Sequence, residues 1–76
     1  MAKVSWTVAR HMYYGGIVLA HEAKLGNRYI SIENLGKDYK EMTKYERIGQ
    51  KWEKVGEASF EKMKDAKSAG EAWLTK

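Results

Sequence analysis

The sequence predicts an α+β domain: an antiparallel sheet of three to four strands with one C-terminal α-helix packed across one face. Three observations carry that prediction. The first half alternates apolar and polar residues in short runs separated by glycine turns. The last sixteen residues before the final pair repeat their apolar and small residues at helical spacing. No proline interrupts either pattern in the 76 residues.

Taken in order, Val4, Trp6 and Val8 alternate with Ser5, Thr7 and Ala9, the period of a half-buried strand. Gly15-Gly16 ends that run, and Ile17 to Ala23 reads as a second strand. Gly26-Asn27 marks a turn before Tyr29-Ile30-Ser31-Ile32, so these two runs form the expected hairpin. Asn34 to Lys37 carries another turn signal. Residues 37–47, with Asp38, Tyr39, Met42 and Tyr45, fit either a short helix or a loop. Tyr45 to Val55 reads as one strand with Ile48 and Trp52 on the same side. From Ser59 to Leu74, Phe60, Met63, Ala66, Gly70, Trp73 and Leu74 fall on one arc of a helix, with Ser59 as its N-cap. Gly70 lies on the packed side of that arc, where it suits close approach to a sheet.

A chain this short makes one domain, residues 1–76, and buries only roughly 60–65% of its unfolded surface. There is no cysteine for a disulfide scaffold, and the two histidines, His11 and His21, cannot by themselves complete a tetrahedral zinc site. No cofactor is expected. The first residues lack the apolar core of a signal peptide, and the longest apolar run, Ile17 to Ala20, cannot span a bilayer. A cytoplasmic protein with no membrane partner is the expectation. The net charge of +4 suggests nucleic acid, so its distribution matters. Residues 1–36 hold four basic and two acidic side chains, and residues 37–76 hold ten and eight. Interspersed signs describe an ordinary surface rather than a phosphate groove.

Enzyme chemistry has little to work with. Ser5, Ser31, Ser59 and Ser68 lie outside any Gly-x-Ser-x-Gly elbow. His21 and Glu22 are adjacent on a strand and so point to opposite faces. Gly15-Gly16 precedes a strand and is not a phosphate-binding fingerprint. The chain therefore reads as a non-enzymatic binder. Trp6, Trp52 and Trp73 are expected in the core, one each from the first strand, the last strand and the helix. Five tyrosines are too many for so thin a core, and tyrosine is enriched at interfaces. Arg10, Tyr13 and Tyr14 beside the double glycine, and Arg28-Tyr29 after a turn, are the candidate partner contacts.

Val55-Gly56-Glu57-Ala58-Ser59-Phe60, followed by Met63, Ala66-Lys67, Ala69 and Trp73-Leu74, resembles the end of many small bacteriophage and prophage accessory proteins. In those a tryptophan-bearing strand passes through a glycine turn into a helix, with Trp52, Gly56 and Leu74 in the matching places here. That resemblance implies a factor that inhibits or redirects a host protein complex, for host takeover or counter-defence, in the bacterial cytoplasm. The same stretch is similar to AP2 and integrase arm-type DNA-binding domains, and its helix to the last helix of double-stranded RNA-binding domains. Under that alternative Arg47, Lys51 and Lys54 would contact phosphates, although Glu46 and Glu53 dilute the basic cluster. Self-association through an uncovered sheet edge is a third way such a domain finds a partner.

Overall fold

The computed structural model describes residues 4–76. Five strands run in chain order through one antiparallel sheet: β1 (Thr7–Tyr13), β2 (Gly16–Leu25), β3 (Arg28–Gly36), β4 (Tyr39–Ile48) and β5 (Lys51–Phe60). One helix, α1 (Met63–Leu74), follows and packs against β3, β4 and β5. The α+β class and the C-terminal helix are as expected, but the sheet has five strands rather than three to four. Two-residue turns join every neighbouring pair of strands. In two of them glycine leads, Gly26 at φ +62° and Gly49 at φ +67°, the left-handed geometry that tight hairpin turns demand.

The additional strands come from the stretch between 37 and 60. Residues 37–47 hide their alternation because lysines occupy inward positions on either side of Met42. Lys40 is buried, and its ammonium donates to the carbonyls of Gly36 and Lys37. Lys44 runs its stem past Gly56 and ends 5.7 Å from the centre of the Trp73 ring. Both side chains bury methylenes while keeping a satisfied head, so polar residues do the work of apolar ones. Gly49-Gln50 then turns the chain, so Tyr45 to Val55 is two strands rather than one. Ile48 pairs with Lys51 and Arg47 with Trp52, which puts Ile48 and Trp52 on opposite faces.

The helix begins at Met63, not Ser59. Ser59 and Phe60 end β5, where Gly56, Ala58 and Phe60 face the helix; their strand spacing merges into the helical spacing that follows. Lys62 is the N-cap residue and makes no side-chain capping bond, so Ser59 is no cap. Gly56, placed in a turn by the phage-protein resemblance, sits inside the strand.

The core is small and lies between helix and sheet. Ala66, Gly70 and Leu74, one helical turn apart, are the buried stripe of α1. They meet Ile30 and Ile32, the two largest fully buried side chains, together with Ala23 and Met42. A methyl group on Gly70 would stand 3.0 Å from Ile30 Cδ1 and 3.3 Å from Trp6 Cη2, so glycine sets how closely the helix approaches. Val4 and Trp6 precede β1 and flank this core, with the Trp6 indole N–H donating to Glu71 at 2.7 Å. Trp6 and Trp73 thus pack against the core as expected. Trp52 does not: it is exposed on the other side of the sheet.

Candidate functional site

With the helix on one face, the strand register assigns every other side chain to the opposite, open face. His11 and Tyr13 of β1, Glu22 and Lys24 of β2, and Tyr29, Ser31 and Glu33 of β3 lie there. Glu41, Thr43, Tyr45 and Arg47 of β4 join them, with Trp52, Lys54 and Glu57 of β5. A β-bulge at Lys44/Tyr45 lets Glu57 and Trp52 share this face although their positions differ in parity.

An aromatic cluster forms the centre. Tyr29 stands opposite Tyr45 with ring centroids 5.5 Å apart, and Tyr29 lies 6.1 Å from Trp52. The rings are tilted rather than stacked flat. They wall a groove of about 440 Å³ whose other sides are His11, Glu22, Lys24 and Ser31. Lys24 places its ammonium 5.4 Å from the Trp52 ring centre. Burial, reinforced by Glu22, raises the Tyr29 hydroxyl well above the usual phenol value. Ser31 is 7% exposed, and its hydroxyl has no hydrogen-bond partner among the described residues.

Beside the groove, His11 joins two carboxylates. Its Nδ1 lies 2.7 Å from Glu33 and its Nε2 3.2 Å from Glu22. Carboxylates only accept, so both bonds are made by the doubly protonated ring. The hydrogen bond to Glu33 raises the His11 pKa above 6.5, against a smaller opposing effect of burial, with Glu22 adding to the rise. Burial would raise Glu33, but hydrogen bonds from Tyr13 and His11 outweigh it and hold Glu33 below the usual carboxylate value. The two carboxylates bind opposite nitrogens of the ring and do not converge on one point. Among the described residues no group of three such side chains could hold a metal ion.

The candidate partner contacts divide between the faces. Tyr13 and Tyr29 are on the open face, and Tyr14 is fully exposed in the β1–β2 turn. Arg10 points to the helix side of β1, away from them. Arg28 is also on the helix side, where it serves the fold: its guanidinium donates to the Trp73 carbonyl at 2.6 Å, lies 4.8 Å from the Trp73 ring centre and pairs with Glu46. The phosphate-contact candidates do not converge either. Arg47 and Lys54 share the open face, Lys51 lies on the other, and Lys54 is paired with Glu57 at 2.9 Å.

Sequence reasoning missed Trp52, Tyr45, Lys24 and Glu22 as a group. The signal that could have found them is Gly49-Gln50: a two-residue turn there reverses the chain and sets Trp52 beside the tyrosines. No family model, curated protein or solved structure matches this chain.

Proposed function

We propose that this protein is a non-enzymatic binding module that captures a protein partner on the open face of its sheet. The observation that carries the reading is the aromatic groove of Tyr29, Tyr45 and Trp52 in a sheet face that no element among the described residues covers. Large rings at the centre of an otherwise polar surface are the composition of an interface hot spot. The role in host takeover or counter-defence implied by the phage-protein resemblance belongs to the same proposal, with a bacterial host complex as the partner.

Clustered aromatic rings with lysines nearby also suit single-stranded nucleic acid. The charges favour a protein instead. Glu22, Glu33, Glu41 and Glu57 share this face with Lys24, Arg47, Lys54 and protonated His11, and both Lys54 and His11 are already paired with carboxylates. Glu33 and Glu41 stand directly opposite each other in the register, where a phosphate backbone would be repelled.

The test is capture from bacterial lysate with and without nuclease, at 50 and 200 mM salt, with the retained protein identified and its affinity re-measured after purification. A protein partner survives both treatments and is lost with Trp52→Ala or Tyr45→Ala, but not with Lys51→Ala on the other face. Binding through about six phosphates would instead fall roughly 10³-fold across that salt range. That result, or a partner indifferent to Trp52 and Tyr45, ends the reading.

A further inference from the structure

We propose that the groove of Tyr29, Tyr45 and Trp52 receives one cationic side-chain head, a guanidinium or ammonium group of a protein partner, and that Lys24 is its intramolecular stand-in. This rests on the open face being the binding surface and names the chemistry that the surface selects.

Aromatic faces carry partial negative charge and attract cations, most strongly for tryptophan. The other tryptophans of this fold already hold cations: Arg28 and Lys44 lie over Trp73, and Lys67 over Trp6. Arg28 is pinned there by a backbone carbonyl and by Glu46. Lys24 differs. It sits over Trp52 from an exposed position, and among the described residues it makes no salt bridge. A cation that also reaches a carboxylate can therefore displace it.

The groove supplies that carboxylate. Glu22 lines it beside the rings, and Glu33 and Glu41 follow across the neighbouring strands, with His11 the charge-bearing partner between Glu22 and Glu33. Arginine fits best, because its planar fork can lie on a ring while donating to Glu22. The Ser31 hydroxyl supplies a second, independent observation. It lies in the groove lining directly opposite Glu22, more than nine-tenths buried and without a partner among the described residues. An N–H that parts the rings and reaches the floor gives it one. A phosphate or carboxylate entering the same groove would meet Glu22, while the cations of the lining are engaged, His11 with Glu22 and Glu33 and Lys24 with the Trp52 ring.

The experiment is an NMR titration of the full chain with N-acetylarginine amide, with the uncharged N-acetylcitrulline amide as the matched control. The arginine probe shifts the Trp52 indole N–H and the Tyr29 and Ser31 amides and saturates at millimolar concentration, while citrulline leaves them unmoved. Trp52→Ala weakens binding roughly three- to thirtyfold, the range expected for one cation–π contact. Glu22→Gln also weakens it, and Lys24→Gln, which removes the competitor, tightens it. Amide dispersion in the β3–α1 core reports that each variant is folded. Equal shifts with citrulline, or loss of binding in Lys24→Gln, overturn the proposal. So does a groove that responds to uridine 5′-monophosphate and not to arginine. If arginine fails while Trp52→Ala still abolishes capture of the purified partner, the cation site is wrong and the binding face stands. If Trp52→Ala leaves that capture intact, the binding-face reading fails as well.

Discussion

The two faces of the sheet hold the same kinds of residue in different employment. On the helix side, aliphatic groups close over Ile30 and Ile32, and every cation near an aromatic ring helps hold the helix: Arg28 and Lys44 on Trp73, Lys67 on Trp6. On the open side the rings of Tyr29, Tyr45 and Trp52 meet one another and Lys24, and a groove remains between them. The histidines repeat the contrast. His11 on the open face is pulled toward its charged form by Glu33 and Glu22. His21 on the helix side is pushed toward neutrality, by burial first and by Lys67 second. An aromatic or charged side chain in this fold is structural where the helix covers it and available where it does not.

The sharpest way to break that comparison is to remove one large side chain from each face. Ile30→Ala should cost about 3 kcal/mol by urea denaturation, because its cavity cannot fill without moving the helix. Trp52→Ala should cost under about 1 kcal/mol, since its ring is partly in water and bounds a groove rather than a packed core. Equal losses would mean that the open face is a second core and not a surface held ready.

Gly70→Val comes next, with an expected loss of about 2 kcal/mol despite the better helix propensity of valine. The space toward Ile30 and Trp6 is already full, and overpacking costs about 1–3 kcal/mol. A gain in stability would show that the helix can lift from the sheet at no cost.

Arg28→Met should cost about 1.5 kcal/mol, because it frees the Trp73 carbonyl and removes the pairing with Glu46 while keeping an apolar stem. The same variant should leave partner affinity unchanged. Weakened binding at unchanged stability would return Arg28 to the contact surface.

The smallest effect is a difference in pH dependence. The His11 pKa in the folded chain lies above 6.5, so its stabilisation is complete below that value and is lost as pH rises through the folded pKa. His11→Ala should therefore destabilise more at pH 5.5 than at pH 8. The His21 pKa lies below 6.5, so the native protein loses stability as pH falls from that value through the folded pKa. His21→Gln should relieve that loss, so its stability relative to the native chain rises toward pH 5.5. Parallel curves for the two variants would remove the distinction between the faces at these positions.

The class of the fold was legible in the sequence wherever one residue type served one purpose. Ile30 and Ile32 with Tyr29 and Ser31 alternate cleanly because a covered face and an open face meet on β3. Ala66, Gly70 and Leu74 are spaced by the helix itself. Legibility failed where lysines acted as apolar residues, at Lys40 and Lys44, and where Gly49-Gln50 reversed the parity of a strand that otherwise reads straight through. The candidate contacts fared unevenly for the same reason. Tyr13 and Tyr29 reach the open face, while Arg28, adjacent to Tyr29, is turned by strand alternation to the other side.

By itself the sequence determined the β2–β3 hairpin, the C-terminal helix and the close approach at Gly70, because each follows from local periodicity or from the absence of a side chain. Only the tertiary structure decided which aromatic rings are core and which are surface. Trp52 and Trp73 look alike along the chain, and what separates them is which side of the sheet the helix covers.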